Sequence, residues 1–339
     1  MNNTEAHLDA RYDSPAKPLR NRGGRGRQVA MIAALTVSGL VTVLRFLRAA
    51  EAKPYAPPLM AVPEFARVNQ PDAAPAHPQP FPADASRDAP FTNSLGMKFV
   101  PVPGTRVLFC THETRNDDYA AFFAEARGDV RDDWKTLINN AAEPFVLGED
   151  GKKAESGSHP VVVVSWREAT AFCKWLSKKE SRTYRLPTDR EWSVAAGIPE
   201  EPVGEPEKLD GVIKDKYPWG NSMNVKSIQG NLNDQTAKER FPDFRSIPGY
   251  TDGYATTAPV MSFAPNALGI YDLAGNVSEY CQDSDVPGGS FRIFRGSNWA
   301  TFAPEGMLTS YRNSYKPDPI RCEVWLGFRI VLAEDAPVE

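Results

Sequence analysis

The chain has 339 residues, 41% of them apolar, which is enough to build a substantial core in one large domain or two ordinary ones. A net charge of −4 and a pI near 5.7 argue against a nucleic-acid partner. Thirty prolines and 24 glycines, with few helix-period runs, argue against a helical bundle.

Residues 1–27 form a polar tail that ends in a basic stretch of Lys17, Arg20, Arg22, Arg25 and Arg27. The uncharged run over 29–44 follows, and residues 28–48 are predicted to be a transmembrane anchor. A bilayer core needs about 20 apolar residues. The run falls slightly short, and Arg45 and Arg48 at its end can snorkel to the interface. Basic residues concentrate before the run, which keeps the N-terminus in the cytoplasm. The expectation is a single-pass protein of the inner (cytoplasmic) membrane with its C-terminal domain outside the cytoplasm. Two other readings remain. One is a signal peptide cleaved at the small-x-small site Ala50-Glu51-Ala52, giving a secreted protein. The other is a buried core helix. Residues 49–91 are a Pro/Ala-rich linker of a composition that stays extended rather than packing.

From Phe91 the texture is globular. Strands are expected over 99–103 and 107–110, and a helix over 117–126 with Tyr119, Phe122 and Phe123 turned inward. The four valines 161–164 read as a buried strand. Ser165-Trp166-Arg167-Glu168 is a capping box, opening a helix that buries Ala169, Phe172, Cys173 and Leu176. Thr188-Asp189-Arg190-Glu191 is a second, opening a helix that carries Trp192 and Ala195. Beyond Gly197 the chain is long, irregular and rich in Gly, Asn, Asp and aromatics. Such loops inside a compact domain need something to hold them, such as a metal.

Cys110, Cys173, Cys281 and Cys322 allow three disulfide pairings, and buried free thiols are an equal alternative. The histidines cannot complete a zinc pattern with them. Asn231, Asp252, Asp272, Asn276 and Glu279 sit in Gly-rich loops. Asp272 and Glu279 lie seven apart around Gly275, a spacing compatible with a calcium loop or with solvated turns.

The ordered segments resemble the formylglycine-generating-enzyme (sulfatase-modifying factor) family. They are Asn93-Ser94-Leu95-Gly96-Met97, Glu113-Thr114-Arg115-Asn116, Arg185-Leu186-Pro187-Thr188, Tyr217-Pro218-Trp219-Gly220, Gly269-Ile270-Tyr271-Asp272-Leu273-Ala274-Gly275-Asn276-Val277, Arg295-Gly296-Ser297 and Leu326-Gly327-Phe328-Arg329. The resemblance covers residues 92–334 and implies an α+β, C-type-lectin-like fold with little regular structure. It also implies two structural calcium ions. One would be held by the side chains of Asn231 and Asp252 with the carbonyls of Leu232 and Tyr254. The other would be held by Asp272 and Glu279 with the carbonyls of Gly275 and Val277.

The family's enzymes oxidise a sulfatase cysteine with copper held by two thiolates that follow an R-G-G-S motif. Here those positions are Thr301 and Gly306, and neither can ligate Cu(I), so no catalytic residue and no copper are expected. Ser278 replaces an aromatic that the family usually places beside the groove, and Ser297 replaces the motif's second glycine. An iron centre would need a His-rich partner domain, and His112 and His159 read as structural. The favoured expectation is therefore a non-catalytic module that binds a protein, peptide or glycan through Asn298, Trp299, Tyr311 and Arg312, with core packing as the other reading of Trp299. The alternatives are an oxidoreductase of the family's type and a scaffolding subunit of an envelope complex.

Overall fold

The computed structural model describes residues 79–125, 157–316 and 323–334. The predicted tail, anchor and most of the linker lie outside these residues. No helix among the described residues is long and apolar enough to cross a membrane.

A five-stranded sheet opens the architecture. It contains β1 (Phe91–Thr92), β2 (Lys98–Pro101), β3 (Val107–Cys110), β4 (Thr183–Arg185) and the late strand β9 (Val331–Ala333), in the order β1-β2-β3-β9-β4. The pairs β2/β3, β3/β9 and β4/β9 are antiparallel. β3 is buried at every position because both faces of the sheet are covered. Phe99, Leu108, Cys110, Tyr184 and Leu332 pack in one cluster, and Val100, Val107, Phe109 and Val331 pack in another.

Two helices build the first cluster. Helix α1 (Asn116–Glu125) buries Tyr119 and Phe122. Helix α2 (Trp166–Glu180) buries Ala169, Phe172, Cys173 and Leu176, and the Ser165/Glu168 capping box closes its start. The third helix, α3 (Asp189–Ala195), opens on the Thr188/Glu191 capping box and sends Trp192 and Ala195 into the second cluster. Two shorter helices follow, α4 (Pro206–Leu209) and α5 (Gln235–Arg240).

The valine run departs from expectation. Val161 to Val164 are buried, yet they form no strand. Val163 turns to φ 59°, a left-handed value that breaks the extended run. The backbone is satisfied piecemeal instead. Val161 N–H donates to Thr114 O at 2.8 Å, and Val163 N–H donates to Glu323 O at 3.2 Å.

A second, four-stranded sheet carries the rest: β5 (Ser278–Ser284), β6 (Arg292–Arg295), β7 (Arg312–Tyr315) and β8 (Leu326–Gly327), in the order β7-β6-β5-β8. Register sets Glu279 beside Arg295 and Arg295 beside Arg312, while Tyr280 stands beside Phe294 and Phe294 beside Asn313. Successive side chains leave a strand on opposite faces. Glu279, Arg295 and Arg312 therefore share one face, and Tyr280, Phe294, Asn313 and Arg292, which stands beside Tyr315, share the other. The fold is mixed α/β with few helices and long loops.

Candidate functional site: a neutral groove in front of a buried ion network

Behind the sheet, α3 supplies Asp189 and Ser193. Asp189 Oδ1 accepts from Arg295 Nη1 at 2.5 Å and from Arg312 Nε at 2.9 Å. Arg312 Nη2 also donates to Glu201 Oε2 at 2.5 Å, and Ser193 Oγ donates to the same oxygen at 2.6 Å. The Arg295 guanidinium lies 4.6 Å from the Trp192 ring centre. Burial alone would raise the Asp189 carboxyl, but the adjacent Arg295 and Arg312 hold it below the usual carboxylate range.

A second buried pair lies nearby. Glu279 is bonded by Arg329, with Nη2 to Oε1 at 2.7 Å, and by Trp192 Nε1 at 3.0 Å. Glu113 accepts from Asn276 Nδ2 at 2.6 Å and from Val277 N–H at 3.1 Å. Burial, with Asp272 and Glu279 as negative neighbours, pushes the Glu113 carboxyl well up. Burial also raises Asp272 to about 6, against the Met261 N–H that donates to it. This cluster gathers three carboxyl groups around one guanidinium, with Glu113 pushed toward its neutral form.

In front of the sheet lies a cleft of about 240 Å³. Its wall includes Thr301 and Gly306, the two positions where the family resemblance places thiols. They face each other, since a β-carbon on Gly306 would stand 3.1 Å from the Thr301 methyl. Ser278, Asn298 and Asn313 contribute hydroxyl and carboxamide groups, and Phe302, Tyr311 and Trp325 contribute rings. Asn298 is pinned, with Nδ2 donating to Ser278 Oγ and Oδ1 accepting from Ala300 N–H, both at 3.0 Å. Asn313 Nδ2 donates to the Tyr311 hydroxyl at 3.1 Å. Burial raises the Tyr311 phenol, so it stays neutral near pH 7.

The four predicted groove residues divide evenly. Asn298 and Tyr311 line the cleft. Trp299 and Arg312 do not: Arg312 is a correction of the sequence reading, and Trp299 takes its core-packing alternative. Trp299 is 2% exposed, donates Nε1–H to Val324 O at 3.1 Å and stacks near Phe244. Arg312 belongs to the ion network, because neighbours on a strand point to opposite faces and only Tyr311 and Asn313 share the groove side. That alternation is the signal that would have selected Asn313. Nothing in the sequence singled out Phe302 or Trp325.

The predicted calcium ligands also divide. Asn231 is fully buried, and its Nδ2 donates to Thr256 O at 2.7 Å. Its Oδ1, by contrast, has no hydrogen-bond partner. The Asp252 carboxylate accepts from Leu232 N–H at 2.8 Å and from Tyr254 N–H at 2.9 Å. Asp252 is thus bound to the backbone next to Asn231 and to that of Tyr254. Gly275 is paired with Asn231. A β-carbon at Gly275 would fall 2.0 Å from Asn231 O, so only glycine allows the approach. In the second set, Asp272 opens onto a separate cavity of about 260 Å³ beside Trp219. Both oxygens of Glu279 are already engaged by Arg329 and Trp192.

Cys110, Cys173 and Cys281 are buried free thiols, and Cys322 lies outside the described residues. Burial pushes the Cys110 thiol up to about 12 and raises the other two as well, which keeps all three unreactive. His112 Nδ1 lies 2.7 Å from Glu113 O, and His159 Nδ1 lies 3.0 Å from Thr257 Oγ1. Both occupy structural positions.

Comparison with known proteins places these features. The chain is 38% identical over 150 residues to the formylglycine-generating enzyme of Thermomonospora curvata, covering 44% of this chain and 42% of that enzyme. It is 35% identical over 186 residues to the inactive C-alpha-formylglycine-generating enzyme 2 of Mus musculus, covering 53% and 51%. The chain thus spans about half the length of these relatives, or less. Among solved structures it is similar to CarF, with a TM-score of 0.46 at 24% identity over 70% of this chain and 88% of that one. It is also similar to PvdO from Pseudomonas aeruginosa, with a TM-score of 0.44 at 22% identity over 67% and 80%. The sulfatase-modifying factor enzyme 1-like domain matches residues 107–334, two thirds of the chain, and the protein belongs to that family.

Proposed function

We propose that this chain is a non-catalytic member of its family, a calcium-stabilised binding module carried outside the cytoplasm on an N-terminal membrane anchor. One observation carries the reading. The cleft is open at Thr301 and Gly306, yet what lines it there is a hydroxyl, a methyl and a bare backbone rather than two thiols. Cu(I) selects soft sulfur ligands, and oxygen donors at these positions do not replace them. The site is thus unsuited to the family's copper, while its shape suits a ligand. A relative that is itself named inactive gives the reading a precedent.

The calcium part rests on Asn231. A buried amide oxygen without a donor costs about 1–3 kcal/mol, and a hard cation would relieve that cost. Asn231 and Asp252, with the carbonyls of Leu232 and Tyr254, would hold the ion and tie the loops together. At the second set Asp272 is the carboxyl without a guanidinium of its own, which gives a cation a reason to bind there. Asp272 fits such a cation better than Glu279, which Arg329 already neutralises.

The experiment is a turnover and binding assay on the purified full chain. With Cu(I), oxygen, a thiol reductant and a cysteine peptide of the sulfatase type, no aldehyde should form. The double variant Thr301→Cys/Gly306→Cys should gain Cu(I) binding that the wild type lacks. Formylglycine made by the wild type would sink the reading. Membrane fractionation tests the anchor, which predicts recovery in an alkali-resistant pellet.

A further inference from the structure

The geometry points to a neutral saccharide as the ligand of the cleft at Thr301 and Gly306, an inference that rests on the binding-module reading above. The lining contains no Lys, Arg, His, Asp or Glu. A phosphate, sulfate or carboxylate would enter without a counter-charge, and so would an amine. Transferring an unpaired ion out of water costs far more than such a site returns. Arg245 is exposed and turned over the Phe302 ring at 5.7 Å rather than lining the cleft, and Arg295 and Arg312 behind it are engaged by Asp189 and Glu201. The occupant is therefore uncharged.

It is also polar. Asn298 spends one amide hydrogen on Ser278, and Asn313 spends one on Tyr311. Among the described residues each carboxamide keeps a second N–H for a ligand. The Tyr311 oxygen accepts from Asn313, which leaves its own proton to donate, and Thr301 Oγ1 accepts from Asn298 N–H with the same consequence. These donors stand around the Phe302 and Trp325 rings, which lie half-exposed in the wall. An apolar ring face bordered by amide and hydroxyl donors matches a pyranose, which presents C–H groups on one face and hydroxyl oxygens around its edge. A cleft of about 240 Å³ lies below the usual size for drug-like ligands, so it takes one ring and leaves the remainder of an oligosaccharide outside.

The test uses the purified full chain on arrays of neutral, sulfated and sialylated oligosaccharides beside an array of neutral and charged tetrapeptides. Titration calorimetry with the best neutral oligosaccharide follows. Retention of neutral glycans over charged ones is expected. Tyr311→Phe and Asn313→Ala should each weaken binding roughly 3- to 10-fold, the loss of one hydrogen bond. Thr301→Trp should abolish binding by filling the cleft, while an unchanged melting curve shows that the domain still folds. Capture of peptides alone would overturn the saccharide assignment and leave the non-catalytic reading standing. Preference for charged glycans, or neutral binding that survives Thr301→Trp, would also overturn it. Copper-dependent aldehyde formation with no binding in any arm would remove both proposals.

Discussion

On β5, β6 and β7 one face carries Glu279, Arg295 and Arg312, and the other carries Ser278, Phe294 and Asn313. The first face is closed, ionic and satisfied. Its arginines are 0–4% exposed, and each meets a carboxylate. The second packs Tyr280 and Phe294 into the core, turns Arg292 over the Trp166 ring, and opens where Asn313 and the neighbouring Asn298, Thr301 and Tyr311 line an uncharged cleft. The same three strands thus hold the domain together on one side and offer a surface on the other. Rigid ion pairs behind allow a groove in front to keep its shape without charges of its own.

The sharpest way to break this comparison is to change two adjacent residues of β7. Arg312→Ala leaves Asp189 and Glu201 buried with too little positive charge. The expected cost is about 3–5 kcal/mol, which comes from orphaned carboxylates rather than from any large intrinsic worth of the pair. Asn313→Ala, one residue on, is exposed and should stay within about 0.5 kcal/mol in stability. Denaturant melts of the two variants decide the matter, and equal effects would mean that the faces are not distinct.

A buried histidine offers a second contrast, because it lacks the carboxylate partner that the arginines have. Burial lowers His159 to about 4 from its ordinary 6.5. The folded state therefore resists the proton that the unfolded chain accepts. Stability from this group is complete above pH 6.5 and falls away as pH drops toward 4, by up to about 3 kcal/mol. His159→Gln should flatten that part of the pH–stability curve. A curve unchanged by the substitution would show that His159 is solvated.

Calcium should act on the loops rather than on either face of the sheet. At a hundredfold excess over its dissociation constant, one bound ion adds about 2.7 kcal/mol of stability. Chelation should remove that increment from the wild type and not from Asn231→Leu, as read by differential scanning calorimetry. Equal melting of the wild type with and without chelator would count against the Asn231–Asp252 site.

Local signals made much of this molecule readable. The two capping boxes are chemical signatures within four residues, and both helices begin where Ser165 and Thr188 place them. The motif order carried the family, and composition carried the loop-rich texture. What escaped depends on long-range packing. The valine run reads as a strand, yet Val163 is turned aside to meet Glu323 far along the chain. Arg312 reads as an exposed recognition residue because Arg often is, and Trp299 reads either that way or as core packing. Only the register of β7 and the contacts of the indole with Val324 and Phe244 reveal that both are buried. Asp189 and Glu201, more than a hundred residues from Arg312, could not be paired with it by spacing.

The smallest effect falls on a support of the charged face alone. Helix α3 begins at Thr188, whose hydroxyl accepts from Glu191 N–H at 3.1 Å. The Glu191 carboxylate in turn accepts from Thr188 N–H at 2.8 Å. This short helix carries Asp189, Trp192 and Ser193, all of which face the ion network and none of which reaches the cleft. Thr188→Ala should cost about 1 kcal/mol by leaving one helix N–H without its cap. Because the loss is confined to the charged side, ligand affinity in the cleft should change by less than twofold at temperatures where the domain stays folded. Calorimetric titration of the variant beside the wild type measures this directly. A larger loss of affinity would mean that the groove depends on the geometry behind it and that the two faces do not act separately.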